Sequence, residues 1–127
     1  MKTFASESLF WLHAPVVLVW VGLFFVAESV LSGKTVFHFW YVMAVFVSQV
    51  IWGIYMMRFR GRFGVGVCPL TTLTQKTRGF ALHDPRNYDR TFIQEFCERF
   101  GIPMPGKALA GFLLGTVVLV SLQYIAL

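Results

Sequence analysis

Apolar residues in this chain gather into three long runs, and the pattern predicts three membrane-spanning helices. The first run covers residues 9–31 (LFWLHAPVVLVWVGLFFVAESVL). As a helix its 23 residues would rise about 34 Å, enough for a hydrocarbon core of about 30 Å. Pro15 falls in its second turn, where a membrane helix tolerates a kink. Ser32, Gly33 and Lys34 interrupt the pattern before the second run, residues 36–57. Arg58, Arg60 and Arg62 close that run with positive charge on alternate positions and are expected to mark the membrane boundary. Residues 107–127 form the third run. Lys2 ahead of an apolar stretch resembles a signal peptide, but a signal core is only about 7–15 residues long. The first run is therefore read as a retained span, and the chain as one membrane domain.

Between the second and third runs, residues 58–106 are too many for a bare loop. Two short helices are expected there. In GVCPLTTLTQKTRG (residues 66–79), Pro69 suits a first helical position, with Cys68 as its cap. Leu70, Leu73, Thr77 and Phe80 recur at helical spacing, and Gly79 is the expected stop. The second helix is expected to start near Asp89, a good N-cap. Phe92, Ile93, Phe96, Cys97 and Phe100 line one face, while Arg90, Gln94, Glu95, Glu98 and Arg99 line the other. A short amphipathic helix of this kind either lies flat on lipid or a partner through Phe92, Phe96 and Phe100, or packs on the chain's own spans. The intervening HDPRNYD has ordinary turn chemistry, and His83 with Asp84 makes a poor metal site on two ligands alone.

Composition strengthens the membrane reading. Hydrophobic residues make up 57% of the 127, and charged residues only 13%, about half the usual share of a soluble domain. The formal net charge of +5 would suit nucleic acid, but no basic and aromatic interleaving supports that, and no nucleic-acid partner is expected. The charge instead reports orientation. With three spans, Lys2, Arg58, Arg60, Arg62, Lys76, Arg78, Arg86, Arg90, Arg99 and Lys107 share one side, and only Lys34 lies on the other. The positive-inside rule then places the N-terminus and residues 58–106 in the cytoplasm and the C-terminus in the periplasm.

Candidate chemistry is sparse. Cys68 at a helix N-terminus near arginines would favour a thiolate, supporting a redox or acylation role. Against it, there is no CxxC, and the only other cysteine is Cys97. A small residue filling a helix corner is the simpler reading. His13 and His38 raise the question of haem. They sit early in antiparallel spans and so near opposite faces, which rules out one haem between them; a haem on either would need a ligand from another subunit. His13 is instead expected to bond the Cys68 segment. Glu28 reaches the interface or pairs with Lys34. Gln49 near the middle of the second span needs a hydrogen-bond partner, a neighbouring helix or a quinone. Gly111 and Gly115 put small residues on one face of the third span, where another helix could approach closely.

The sequence resembles the bacterial membrane family catalogued as domain of unknown function 2784. The resemblance rests on His13 followed by APVVLVWVG, on the aromatic second span, on CPLTTL (Cys68 to Leu73), and on FIQEF (Phe92 to Phe96) ahead of Pro103. It covers most of the chain, and CPLT, with Cys68, Pro69, Leu70 and Thr71, is its most specific element. This chain carries Thr74 and Glu95 where the family usually has an acidic residue and commonly a histidine. The resemblance implies the three-span architecture and no particular activity.

The expected fold is therefore all-α, with three transmembrane helices and two short helices between spans two and three. The leading expectation for function is a non-catalytic accessory, structural or assembly subunit of a larger complex in the bacterial inner membrane, respiratory or photosynthetic. Its partners would be other membrane subunits and phospholipids, with no catalytic residue, metal or cofactor of its own. The alternative is an electron-transfer anchor binding haem or quinone at an inter-subunit site through His13, His38 or Gln49. A third reading is a thiol-dependent enzyme centred on Cys68.

Overall fold

The computed structural model describes residues 3–60 and 67–127, with Arg60 described in its backbone only. Helix α1 (Phe4–Trp11) opens on a capping box. The Thr3 side chain accepts from the Ser6 N–H at 3.2 Å, and Ser6 Oγ accepts from the Thr3 N–H at 2.9 Å. This cap, together with the use of Glu7 described below, lets the polar Ser-Glu-Ser start lie inside a helix. After Leu12 the chain continues as α2 (His13–Gly22). The break falls in the turn before Pro15, whose missing N–H and bulky ring disrupt the ladder there.

The first helical stretch thus runs Phe4–Gly22 and not from Leu9 to Leu31. Residues 23–33 form turns and bends instead. Glu28 caps the next element: its carboxylate accepts from Gly33 N–H at 2.7 Å, Thr35 N–H at 3.1 Å and Thr35 Oγ1–H at 2.8 Å. Its role is this cap, and the nearby Lys34 charge adds attraction. Gly33, at φ 76°, makes the turn that L side chains resist. Helix α3 (Lys34–Arg60) follows, then α4 (Pro69–Thr77), a 3-10 turn (Pro85–Asn87), α5 (Phe92–Arg99) and α6 (Gly106–Ile125). Helix α4 begins as expected, with Cys68 at the N-cap and Pro69 first in the helix. Helix α5 begins two residues later than Asp89 predicts. Thr91 is its cap, locked in a box with Gln94, which satisfies two orphan donors where an aspartate would satisfy one.

The architecture is all-helical, with no strand among the described residues. Three stretches, Phe4–Gly22, Lys34–Phe59 and Gly106–Ile125, are long and apolar enough to cross a membrane. Helix α6 runs alongside α3, and α2 joins them around Trp20, Val42 and Val120. Polar pins fix the register within this apolar bundle. Trp20 Nε1–H donates to Thr116 Oγ1 at 3.0 Å, Tyr41 Oη–H donates to the Val16 carbonyl at 2.9 Å, and the Phe39 and Tyr124 rings stack at 4.2 Å.

The short helices pack inward rather than lying on the surface. Helix α4 packs on α1, α3 and the 3-10 turn, and it does so with its polar face. Thr71, Thr72, Thr74 and Gln75 are buried while Leu73 is 46% exposed, the reverse of the expected apolar face through Leu70 and Leu73. Among apolar spans the hydroxyls gain more by turning inward, where partners exist, than by facing hydrocarbon. Thr72 Oγ1 accepts from Trp52 Nε1–H at 3.0 Å, and Thr74 Oγ1–H donates to the Leu70 carbonyl at 2.8 Å. Helix α5 resolves its two alternatives residue by residue. Phe92 is buried on the chain's own helices, Phe96 is half-buried, and Phe100 is 66% exposed.

Candidate functional site

The Cys68 segment and the first span meet at one cluster. His13, 6% exposed, sits at the start of α2 with Nδ1 3.2 Å from the Leu9 carbonyl and 3.1 Å from the Phe10 carbonyl. Both are acceptors, so Nδ1 carries the proton and Nε2 presents its lone pair. Cys68 Sγ lies 3.6 Å from Nε2 and Thr71 Oγ1 lies 3.3 Å from it. The Phe92 ring closes the other side, stacked on the imidazole at 5.0 Å and 5°. The expected contact between His13 and the Cys68 segment is thus present. What the sequence left hidden is that it forms a thiol, a hydroxyl and a base within hydrogen-bond reach. Burial pushes the Cys68 thiol above its ordinary range, against the lowering pull of the Thr71 and Leu70 N–H groups and the Thr71 hydroxyl. At neutral pH the cysteine is a thiol facing a base.

This cluster forms one end of a pocket of about 240 Å³ between α2, α3, α4, α5 and α6. Its walls are mainly valine, leucine and aromatic side chains, and Ser48, Gln49 and Thr91 add polar side chains. Ser48 and Phe112 are exposed, so the pocket opens sideways through the surface of the spans. The Ser48 hydroxyl donates to the Val45 carbonyl at 2.7 Å. The Gln49 side chain makes no hydrogen bond with any described residue.

His38 is far from this cluster. Its Nε2 lies 2.8 Å from the Trp20 carbonyl and therefore donates to it, and Nδ1 is buried without a partner. Trp20 is seven residues past His13 on α2, a rise of about 10 Å. The two histidines are closer than antiparallel spans with His13 at one end would place them, because α1 extends the first stretch and leaves His13 near its middle. They remain too far apart to share one iron. Among the described residues no three His, Cys, Asp or Glu side chains are grouped to hold a metal ion. The Asp84 carboxylate accepts from Arg86 Nε–H at 2.9 Å and from Arg86 N–H at 3.0 Å.

Beside the cluster lies an ion network that includes Glu95 and Arg99, which the helical pattern assigned to the polar face of α5. Glu95 is buried, and its two oxygens accept from both terminal nitrogens of Arg78 at 2.8 and 3.0 Å and from Arg99 at 2.9 Å. Arg99 also forks onto Glu7 with two contacts of 3.0 Å and lies 4.0 Å over the Phe10 ring. Burial works to raise the Glu95 carboxyl, but the hydrogen bonds and charges of Arg78 and Arg99 outweigh it and hold it below the ordinary carboxylate range. Two carboxylates and two guanidiniums thereby tie α1, α4 and α5 together. The only local signal was the i, i+4 spacing of Glu95 and Arg99; Glu7 gave none.

The other predicted positions are spread out. Arg58 is exposed, with its guanidinium 4.5 Å over the Tyr55 ring. The Arg60 side chain and Arg62 lie outside the described residues. Gly111 and Gly115 are exposed on α6, and a Cβ added at either would meet nothing within 4 Å. The face is open to another helix, and this chain's own helices do not use it.

Fold and site together define an all-helical chain with three helices suited to a membrane and a Cys–His–Thr cluster at the end of a lateral apolar pocket. No protein-family model matches the chain, and no curated protein or solved structure matches it.

Proposed function

We propose that this chain is a non-catalytic accessory subunit of a larger complex in the bacterial inner membrane, respiratory or photosynthetic, and that it holds a lipid-soluble molecule with a polar head in the lateral pocket. The carrying observation is Gln49. Its amide lines an apolar pocket midway along a span and pairs with no described residue. An unpaired amide in hydrocarbon is costly, so a head that accepts and donates there is favoured, its tail lying along the apolar walls. The open Gly111–Gly115 face supports the accessory role. Of the two electron-transfer alternatives, the pocket favours a quinone over a haem, because His13 engages both ring nitrogens within the chain. Kinship with the family that shares the CPLT motif belongs to the same reading. The cation distribution, ten to one, supports a cytoplasmic N-terminus and a periplasmic C-terminus.

The protein purified from its native membrane in mild detergent should carry a near-stoichiometric amphiphile, identified by mass spectrometry of the extracted lipids. It should also bring other membrane subunits with it. Gln49→Leu and Val17→Trp should both deplete that amphiphile. A wild-type protein that yields none, or a Val17→Trp protein that retains it, sinks the pocket reading. A lone, stable monomer sinks the accessory role. A reporter active only in the periplasm should be active when fused after Leu127, and activity of a cytoplasmic reporter there overturns the orientation.

A further inference from the structure

We propose that Cys68 is an acyl-accepting thiol, taking a long-chain acyl group from an acyl thioester with His13 as its base. This rests on the pocket holding an amphiphile and goes further, fixing what that amphiphile is and where it is attached. Three observations converge. First, Sγ is 3.6 Å from imidazole Nε2, which faces it as an acceptor because the other ring nitrogen gives its proton to the Leu9 and Phe10 carbonyls. This is the pairing of nucleophile, base and orienting acceptor that activates a thiol. Second, Thr71 stands beside the same nitrogen, 3.3 Å from Nε2. With the N–H groups of Leu70 and Thr71 it works against the larger effect of burial, which keeps the thiol protonated, so the thiolate has donors ready when the base forms it. Third, the cluster ends an apolar pocket that opens sideways at Ser48 and Phe112. A chain attached at Sγ can lie along the valine-rich walls, with its carbonyl at the polar end.

The step balances without redox. His13 Nε2 takes the proton from Cys68 Sγ, and sulfur attacks the thioester carbonyl carbon. The carbon–sulfur bond to the donor breaks, and the proton on His13 passes to the departing thiolate. One thioester replaces another, so the exchange is close to thermoneutral and needs no further reactant. Cys97 serves as an internal control. It is half-buried on α5 and does not line this pocket.

The test incubates purified protein in detergent with palmitoyl-coenzyme A and follows intact mass, with peptide mapping and hydroxylamine lability to locate the thioester. Wild type and Cys97→Ser should gain one acyl group on Cys68, and Cys68→Ser none. His13→Gln should slow the reaction about a hundredfold near neutral pH. Raising the pH should recover part of that rate, because direct ionisation of the thiol then replaces the base. That recovery at raised pH also guards against a His13 variant that fails only through misfolding. No adduct on wild type, equal labelling of Cys68→Ser, or a Val17→Trp variant that reacts at the wild-type rate overturns the proposal. If wild type binds a lipid reversibly in the pocket yet never forms the thioester, this inference falls and the binding function stands. If Cys68 is acylated although no lipid is retained reversibly, only the binding function falls.

Discussion

Glu95→Ala is expected to destabilise the protein by about 3–5 kcal/mol, the cost of removing one partner from a buried ion network. The midpoint of thermal unfolding in mild detergent should report it. The size follows from what is left behind. Arg78 and Arg99 would lose the carboxylate they share, and the Arg78 side chain, as buried as that of Glu95, would keep the 3.5 Å contact to Glu7 as its one ion pair among the described residues. Glu95→Gln removes the charge but keeps two polar atoms in place, and should cost less. Titration gives the same network a pH signature. The folded carboxyl is held below its ordinary value, so the folded state binds this proton less readily than the unfolded chain does. The stabilisation is then fully present above the unfolded value, about 4.3. It is lost as the pH falls from there through the folded value. Glu95→Gln should flatten that acid limb, and an unchanged limb would show that Glu95 does not anchor the network.

The placement of that network shows where sequence patterns stop being informative. The three apolar runs were legible because hydrocarbon thickness sets a length that composition alone can meet. Pro69 and Cys68 announced the start of α4 because helix caps are local. The ends of the first stretch were misjudged for an equally physical reason. Ser6, Glu7 and Ser8 read as polar, yet Thr3 and the distant Arg78 and Arg99 satisfy two of them. Glu28 reads as part of a span, yet it is spent on capping α3. The spacing of Leu70 and Leu73 gives no sign that the threonines of α4 turn inward, because apolar periodicity assumes that water lies on the polar side; these threonines have α1 and α3 there. At the candidate site, the contact between His13 and the Cys68 segment could be anticipated from depth. The supporting parts could not: a 55-residue separation between Cys68 and His13, and Phe92 closing over the imidazole from α5.

Phe10→Ala should cost about 3 kcal/mol or more, in the range of a fully buried aromatic truncated to alanine, while Phe100→Ala should stay within about 0.5 kcal/mol. Both are phenylalanines close to Arg99 in the fold or the chain, and a helical wheel of α5 ranks Phe100 with the interior residues. Packing separates them. Phe10 is 2% exposed. Its ring meets Phe92 at 4.8 Å and Trp11 at 5.4 Å, and it supports the Arg99 guanidinium at 4.0 Å. Phe100 touches Phe96 at 5.0 Å and otherwise faces outward. The same Phe92 ring stacks on His13, so the cavity left by Phe10→Ala opens beside the ring that covers the imidazole. The loss should therefore exceed that of a cavity with apolar walls alone, since Phe92 can relax into it only by uncovering His13 and loosening the seat of Arg99. Equal unfolding midpoints for the Phe10→Ala and Phe100→Ala proteins would show that α1 is not clamped between α4 and α5 as described.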